Sequence, residues 1–324
     1  MVPRIVVTGG VGFIGYHVSL ALALRGHRLT LLDDFSDAPY PAVLKRENAA
    51  ELVRAFPDRI GVVEGSVTSR PVVDSVVGGA VGVVHLAGLA GVRPSFAEPA
   101  RYVSVNVEGT VNVLEAAHEA GIRRVAAASS SSVYGNSTPL PAREDAVAVE
   151  PESPYAASKR SMELVARACV RRMPELTFTA LRFFTVYGPR QRPEMAITKF
   201  ARALLADQPL PIYGDGSMLR DFTHVDDIVR GVLSAFDREA PGFRAYNLGS
   251  GAPVTLRQLV EALSLASGKA ARLLHEPQPL GDVDATFADI SRASVELGWA
   301  PRVPLIEGIA TVFRWLQERG GKGP

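Results

Sequence analysis

The chain has 324 residues, 47% hydrophobic and 21% charged, so it can bury a large core in one large domain or two coupled ones. Its formal net charge is +1 and no segment concentrates basic residues, which argues against a nucleic-acid or membrane partner. Cys169 is the only cysteine, which excludes a disulfide within the chain and leads us to expect a reducing, cytoplasmic location. Glycines interrupt the apolar residues 1–10 early, so we expect neither a signal peptide nor a membrane span there.

Apolar runs of strand length alternate with helix-length segments through the first half of the chain. The runs are residues 4–9, 28–34, 59–67, 81–88, 123–131 and 176–184. Continuous apolar strands separated by helices are typical of parallel sheets that are covered on both faces. We therefore predict an α/β fold with a Rossmann-type, doubly wound parallel sheet.

A glycine-rich turn follows the first predicted strand and leads into the first predicted helix. Gly10, Gly12 and Gly15 have G-x-G-x-x-G spacing and Gly9 precedes them, so backbone N–H groups can approach a pyrophosphate. A turn with small residues for packing is the alternative. Asp33 ends the second predicted strand, where a carboxylate accepts the ribose hydroxyls of adenosine and repels a 2′-phosphate. Together these features predict a site for NAD rather than NADP.

Prolines become frequent after about Phe184, and the regular alternation is lost. We predict that residues 1–184 form an NAD-binding Rossmann domain to which about 221–250 return. Residues 185–220 and 251–324 are expected to form a smaller, interleaved α/β region that binds the substrate.

Tyr155 and Lys159 lie four residues apart in a predicted helix, so they share one face. An ordinary surface pair is the alternative. A tyrosine with its ordinary pKa of about 10 is a poor base at neutral pH, but a lysine and a nicotinamide cation nearby would favour the phenolate. Tyr155 could then accept a proton from a substrate hydroxyl, and a serine of residues 129–132 would complete the hydrogen-bond path.

Four segments together are similar to the extended short-chain dehydrogenase/reductase family, in its nucleotide-sugar epimerase branch. They are residues 8–15 (TGGVGFIG), 130–135 (SSSVYG), 155–159 (YAASK) and 220–227 (RDFTHVDD). The resemblance extends from Ile5 to about Trp299, and residues 85–117 and 182–205 most resemble UDP-glucuronate 4-epimerases. It implies an isomerase with tightly bound NAD that converts UDP-glucuronate to UDP-galacturonate. The implied path is transient oxidation to a 4-keto sugar, ring rotation and hydride return.

The resemblance also implies roles for the catalytic and cofactor-binding residues. Tyr155 is the general base, Lys159 binds the nicotinamide ribose and lowers the pKa of Tyr155, and Ser130 helps to pass the 4-hydroxyl proton. Ser129 is expected to serve the strand end or the cofactor. The other implied cofactor-binding residues are Gly9, Gly12, Phe13, Ile14, Gly15, Asp33, Ser66, Val67, Leu86, Ala87, Gly88 and Asn106.

A uronate substrate needs groups that hold its C5 carboxylate. Oxidation at C4 gives a β-keto acid, which loses CO₂ readily unless the breaking C–C bond is misaligned with the carbonyl π system. By the resemblance, the residues around this carboxylate are Ser131, Ser132, Thr185 and Arg192, of which the arginine offers a bidentate fork. Ser131 and Ser132 stand where related dehydratases have an Asp–Glu pair, and neutral hydroxyls can bond a carboxylate that acids would repel.

The nucleotide half of the substrate is assigned by the same resemblance. Arg220 corresponds to a diphosphate-binding arginine and Asp282 to an acid that contacts the uridine ribose. Tyr213 is expected to pack on the uracil, and Lys199 to reach the uracil or diphosphate. The implied substrate-binding set is completed by Arg93, Met195 and Ala196. Without the resemblance, a surface or packing role is the simpler interpretation.

Three other functions stay open. They are a UDP-glucuronate decarboxylase, a UDP-glucose/UDP-galactose 4-epimerase, and a catalytically silent NAD-sensing binding protein. Residues 184–193 (FTVYGPRQRP) favour epimerisation, since decarboxylases usually have FNTYGPRM there. The intact Ser130, Tyr155 and Lys159 argue against a silent protein.

Two further expectations concern metals and assembly. Six histidines and one cysteine occur without an H-E-x-x-H or C-x-x-C motif, so no metal site is predicted. His224 is close to Asp226 and Asp227 in the sequence. We expect it to cap a helix or to pack against neighbouring side chains. From the family we expect a homodimer formed through helices near residues 105–121 and 155–170.

Overall fold

A central parallel sheet organises the structure, a computed structural model that describes residues 2–38, 40–147, 150–276 and 283–320. In these residues the strands are β1 (Arg4–Thr8), β2 (Arg28–Asp33), β3 (Ile60–Glu64), β4 (Gly82–His85), β5 (Arg124–Ser130), β6 (Thr177–Phe183), β7 (Thr185–Tyr187), β8 (Leu210–Tyr213), β9 (Leu219–Arg220), β10 (Phe222–His224), β11 (Gly242–Leu248), β12 (Val254–Thr255) and β13 (Leu273–Glu276).

Helices cover both faces of this sheet and build the smaller region. They are α1 (Phe13–Leu24), α2 (Ala42–Ala55), α3 (Arg70–Val77), α4 (Val92–Ala97), α5 (Pro99–Val103), α6 (Gly109–Glu119), α7 (Pro154–Val170), α8 (Ala196–Leu205), α9 (Val225–Asp237), α10 (Leu256–Ser267), α11 (Ser291–Leu297) and α12 (Leu305–Glu318). A π-helical turn, Ser104–Glu108, precedes α6, and a 3₁₀ turn, Ser131–Tyr134, follows β5.

The main sheet has seven parallel strands in the order β3-β2-β1-β4-β5-β6-β11. The strand order reverses between β1 and β4, and in open α/β sheets ligands bind beyond the carboxyl ends of the strands at such a point. The predicted Rossmann-type, doubly wound sheet is therefore confirmed.

Strand β1 shows why the sheet is buried on both faces. Ile5 and Val7 pack into the apolar cluster with α1 and α9, whereas Val6 points to the opposite cluster with α3, α6 and α7. All three side chains are fully buried, because successive side chains of a strand face opposite sides of the sheet.

The smaller region has a core of its own, built from α8, α10, α12 and β8. Short strand pairs surround it: β8 with β13, and β9 with β12. Strand β11 is the last strand of the main sheet, but β10, also within residues 221–250, pairs with β7 outside that sheet. The division into an NAD-binding and a substrate-binding domain stays a prediction.

A buried ion pair joins α7 to the sheet. Arg182 of β6 donates to Glu163 of α7 with a closest N–O distance of 2.7 Å, and each side chain is 1% exposed. Glu163 also accepts from the Ser129 hydroxyl at 2.6 Å, and Arg182 donates to the Tyr134 hydroxyl at 2.9 Å. Burial raises the pKa of Glu163, but its bonds to Arg182 outweigh this and hold the pKa below the ordinary value. The network fixes α7 against β5 and β6.

Replacing Arg182 with Met should lower the free energy of unfolding by about 3–5 kcal/mol, because the buried Glu163 then keeps only the more exposed Arg160 as an ionic partner. Adding Glu163→Leu should recover much of the loss. Urea unfolding monitored by circular dichroism measures both effects. Arg123→Met is the control, since the Arg123–Glu175 pair is 71% exposed at each side chain and should contribute less than about 1 kcal/mol. Equal losses for the two arginines would contradict this account.

Candidate active site

A cavity of about 1080 Å³ lies at the carboxyl ends of the main-sheet strands, between the sheet and the smaller region. Its cofactor-side lining includes Gly9, Gly12, Phe13, Ile14, Gly15, Asp33, Ser66, Val67, Leu86, Ala87 and Gly88. Its other lining residues from the sequence prediction are Arg93, Ser130, Ser131, Ser132, Tyr155, Lys159, Thr185, Arg192, Met195, Ala196, Lys199, Tyr213 and Arg220. The fold thus brings together side chains from segments far apart in the chain.

Two predicted site residues are not in this lining. Asn106 lies behind the wall, where its Oδ1 accepts from the Leu89 N–H at 2.8 Å and its Nδ2 donates to the Leu89 carbonyl and to Ser158. The polar atoms of Asn106 thus hold the loop after β4, whereas the sequence leads us to expect a direct contact with the cofactor. Asp282 lies outside the described residues.

The glycine turn after β1 fits a dinucleotide pyrophosphate. Gly9 has a φ of +65°, and a Cβ atom there would lie 2.6 Å from the Ala87 nitrogen. A Cβ atom on Gly15 would overlap the Gly9 carbonyl oxygen. Only glycine is therefore accommodated at either position, and the turn keeps its backbone open at the N-terminus of α1, where anions are stabilised.

Asp33 stands at the end of β2 beside this turn. Its Oδ1 accepts from the Phe35 N–H at 3.0 Å, which orients the carboxylate. Burial raises the pKa of Asp33, and the positive charge of Lys45 opposes this rise. Sequence reasoning missed Lys45, a cavity residue whose Nζ donates to the Ser36 carbonyl at 2.8 Å. Nothing in the local sequence of α2 distinguishes this lysine, because its proximity to Asp33 depends on the path of the chain between β2 and α2.

The catalytic set predicted from the sequence is assembled. Ser130 and Tyr155 line the same cavity, and the Lys159 Nζ donates to the Ala128 carbonyl at 2.8 Å. Burial raises the pKa of Tyr155, while the Ser130 hydroxyl and the charge of Arg192 lower it. The Lys159 Nζ faces the backbone of β5, and its expected lowering of the Tyr155 pKa stays a prediction.

Burial lowers the pKa of Lys159 to about 8, and the negative charge of Glu163, one turn further along α7, opposes that shift. A Cβ atom on Gly88 would lie 3.0 Å from the Lys159 Nζ and 2.9 Å from the Asn106 Oδ1. Glycine at position 88 therefore lets the loop after β4 approach the lysine closely.

The serine run divides its hydroxyls among different partners. Ser130 Oγ accepts the Ser132 N–H at 3.1 Å and lies 3.1 Å from the Ser132 hydroxyl. Ser129 donates to Glu163, so in addition to lining the cavity it belongs to the network under α7. Ser131 and Ser132 present hydroxyls to the cavity beside Ser130.

Arg192 lines the same cavity from the segment between β7 and α8. Its Nη1 is 2.9 Å from the Glu194 carboxylate, and its Nη2 contacts the Met195 sulfur at 3.5 Å. Its charge lowers the pKa of Tyr40 and Tyr102 as it does that of Tyr155, although burial leaves the pKa of all three raised. A positive charge thus faces the proton-transfer pair.

The far end of the cavity carries the residues predicted for the nucleotide. The Arg93 guanidinium lies 5.2 Å from the centre of the Tyr213 ring, within cation–π range. Arg220 donates from Nη1 to the carbonyls of Leu219 and Asp284 at 2.9 and 3.2 Å. These contacts place an aromatic ring and two cations where a nucleoside diphosphate can be held.

The cradle, the buried Ser130–Tyr155 pair and Lys159 define a dinucleotide-dependent enzyme that acts on a substrate hydroxyl. The sequence profile described as the NAD dependent epimerase/dehydratase family matches residues 5–249. The chain belongs to this family, and the predicted relationship to nucleotide-sugar epimerases is confirmed.

Similar proteins are known by sequence and by structure. The chain is 35% identical to a UDP-glucuronate 4-epimerase of Thermodesulfobacterium geofontis over 96% of its length and 95% of that protein. It is 39% identical to UDP-glucuronate 4-epimerase 3 of Arabidopsis thaliana over 98% of its length and 78% of that protein. The Bacillus cereus UDP-glucuronic acid 4-epimerase, solved with UDP-glucuronic acid and NAD, is 32% identical, has a TM-score of 0.90, and matches over 98% and 99% of the two chains.

The described residues contain neither a metal-binding cluster nor a helix suited to crossing a membrane. No group of three or more His, Cys, Asp or Glu side chains in them is arranged to hold a metal ion. Among the described helices, none has the length and apolar character needed to cross a membrane. His224 is the N-cap of α9, where its ring accepts from the Asp226 N–H at 3.3 Å.

Lys159→Met should change how stability depends on pH. The folded protein releases the Lys159 proton near pH 8, whereas the unfolded chain holds it to about 10.5. The unfolded state then binds more protons, so wild-type stability should rise relative to the variant through this window, by at most on the order of 3–4 kcal/mol. Urea unfolding at several pH values measures this difference. Lys269→Met is a surface control, and a wild-type advantage that falls with pH would contradict the assignment.

Proposed function

We propose that this protein is an isomerase that catalyses the NAD-dependent C4 epimerisation of a UDP-hexuronic acid, converting UDP-glucuronate to UDP-galacturonate. The observation that carries the proposal is the position of Arg192, which shares the cavity with Ser130 and Tyr155 and acts electrostatically on the Tyr155 hydroxyl. A cation beside a proton-transfer pair suits a sugar that carries an acidic group near its reacting carbon. The names of the similar proteins support the same substrate.

The chain offers a holding group for each part of NAD. The backbone of the turn that includes Gly9 and Gly15 would hold the pyrophosphate, Asp33 the adenosine ribose, and Lys159 the nicotinamide ribose. When bound, NAD supplies the acceptor for the C4 hydride and returns it, so the reaction has no net redox change.

Tyr155 and Ser130 move the proton. The Tyr155 Oη takes the proton of the C4 hydroxyl, directly or through the Ser130 Oγ, which lines the same cavity and lowers the pKa of Tyr155. The backbone N–H of Ser132 donates to Ser130 Oγ and therefore fixes its orientation. Because the charge of Arg192 lowers the pKa of Tyr155, this arginine also assists the base.

The same arginine has a second task, which is to hold the substrate carboxylate. A sugar oxidised at C4 with a carboxylate on C5 is a β-keto acid. It avoids decarboxylation only if the bond between C5 and the carboxylate is held out of alignment with the carbonyl π system. Arg192, Thr185, Ser131 and Ser132 line the cavity and offer cationic and hydroxyl donors for this purpose. Arg220, Tyr213 and Lys199 are proposed to bind the UDP moiety, and the role of Asp282 stays a prediction.

Purified protein incubated with UDP-glucuronate and no added NAD should form UDP-galacturonate, resolved by anion-exchange chromatography. Tyr155→Phe keeps the ring but removes the base, and should lower the rate at least about 100-fold. Formation of UDP-pentose and CO₂ alone would indicate a decarboxylase. Much faster turnover of UDP-glucose would indicate a neutral-sugar epimerase, and binding of NAD without turnover of any UDP-sugar would indicate a sensing protein.

Replacing Arg192 with Ala should slow epimerisation and raise the share of decarboxylated product, because the C5 carboxylate loses its cationic partner. The ratio of UDP-pentose to UDP-galacturonate, measured on the same chromatogram, reports the change. Lys199→Ala provides a control within the cavity that removes a cation assigned to the nucleotide half. An unchanged product ratio in Arg192→Ala would contradict the proposed role.

The assembly that supports this activity is proposed to be a homodimer of the cytoplasm. Phe96, Val103 and Leu164 are exposed apolar side chains on α4, α5 and α7, which pack against one another. Leu164→Glu should therefore shift the protein from dimer to monomer in sedimentation velocity. Val295→Glu alters an exposed apolar residue on the distant α11 and should leave the dimer intact. A monomeric wild-type protein would refute the dimer.

A further inference from the structure

Residues 188–195, here called the arginine loop, join β7 to α8 and carry Arg192 into the cavity. Gln191 ties this loop to the elements on either side. Its Nε2 donates to the Val186 carbonyl at 2.7 Å, and its Oε1 accepts from the Thr198 hydroxyl at 2.9 Å. Both contacts join the loop only to the elements that flank it, β7 and α8. The position of the loop relative to the cofactor cradle therefore depends on other residues.

Arg190 makes the connection to the cofactor side. Its Nη1 donates to Asn48 Oδ1 and its Nη2 to Glu51 Oε2, each at 2.6 Å. Its guanidinium carbon lies 3.9 Å from the centre of the Tyr16 ring, and the Tyr16 hydroxyl donates to the same Glu51 carboxylate at 2.5 Å. The side chain is 11% exposed, so the two helices α1 and α2 enclose the guanidinium.

Asn48 continues the path into the glycine turn. Its Nδ2 donates to the Val11 carbonyl at 2.9 Å, which uses the second half of the amide that accepts from Arg190. Val11 lies between Gly9 and Gly15 in the glycine turn of the cradle. A continuous set of hydrogen bonds therefore leads from the cradle, through Asn48 and Arg190, to the loop that carries Arg192.

The backbone of Arg190 supports a specific role. Its φ is +68°, in the left-handed region, which costs a side-chain-bearing residue roughly 1 kcal/mol or more. Such a conformation persists where the surrounding contacts determine it, and here the enclosed guanidinium does so. Next to it, the Pro189 carbonyl pairs with the His17 ring nitrogen of α1 at 2.9 Å, a second attachment to the cofactor side.

We propose that Arg190 is a positioning residue that couples the cofactor cradle to Arg192, so that dinucleotide binding and binding of the substrate carboxylate strengthen each other. The inference rests on the proposed function, in which Arg192 holds that carboxylate. Any group that orders the turn around Val11 also orders Asn48, and through it the arginine loop. Because coupling between two binding sites is reciprocal, a carboxylate held by Arg192 should tighten NAD binding.

The test measures NAD affinity by isothermal titration calorimetry in Tyr155→Phe protein stripped of nucleotide, in which turnover is blocked. NAD is titrated into this protein without a second ligand, in the presence of UDP-glucuronate, and in the presence of UDP. We expect UDP-glucuronate to tighten NAD binding more than UDP does, since UDP has no carboxylate for Arg192. Adding Arg190→Met, which keeps an apolar stem on Tyr16, should reduce the excess tightening by roughly threefold or more. The tightening by UDP should be unchanged.

Two further variants keep the test decisive. Asn48→Ala cuts the path at its other end and should produce the same loss, and the Arg190→Met/Asn48→Ala double variant should lose little more. Arg319→Met is the matched control, because Arg319 pairs with Glu47 on the same helix α2 but does not contact the arginine loop. It should leave the difference between UDP-glucuronate and UDP intact.

The outcomes separate this proposal from the proposed function. If wild-type protein does not epimerise UDP-glucuronate, the proposed function fails. If it does, the positioning role is overturned when the parent shows no difference between UDP-glucuronate and UDP. It is equally overturned when Arg190→Met lowers only the melting temperature and preserves that difference. In the catalytically active background, Arg190→Met should raise the share of decarboxylated product in the direction of Arg192→Ala, and an unchanged share counts against coupling.

Discussion

The cofactor site and the catalytic helix both depend on a direct packing of backbone against backbone at the carboxyl ends of β1 and β4. Gly9 is so close to the loop after β4, and Gly15 so close to Gly9, that no side chain fits at either position. This contact lies where the strand order reverses, and it shapes the cradle at the start of α1. The next part of the same loop, at Gly88, also lies close to Lys159, whose Nζ would be 3.0 Å from a Cβ atom there. Cofactor site and catalytic helix are therefore set by one packing arrangement.

Two carboxylates near the catalytic pair are each paired with an arginine. Glu163 lies beneath the serine run, but Arg182 pairs with it in the interior. Glu194 lines the cavity, yet it is paired with Arg192. A substrate carboxylate must share this arginine with Glu194 or displace it, and the arginine has donors enough for both. Burial works against ionisation of both Tyr155 and Lys159, and Ser130 and Arg192 counteract it at the tyrosine.

Most of the fold and much of the candidate site could be predicted because their signals are local. Apolar runs separated by helices indicated the parallel sheet, and the glycine spacing indicated the cradle. The features that the sequence did not indicate are contacts between distant segments. Asn106 supports the loop after β4 from behind the cavity wall, and β10 pairs outside the main sheet. Ser129 donates a hydrogen bond to Glu163, and no pattern in the serine run predicts this partner.

The alternation of strands and helices, the glycine turn and the shared helical face of Tyr155 and Lys159 can all be predicted from the amino-acid sequence. Each depends on residues a few positions apart, whose geometry follows from the strand and helix repeats. Three other pairs are apparent only in the folded molecule: Lys45 acts on Asp33, Arg192 acts on Tyr155, and Arg190 reaches Asn48. Those pairs join separate elements, and their contacts arise from packing around the sheet, which spacing along the chain does not encode.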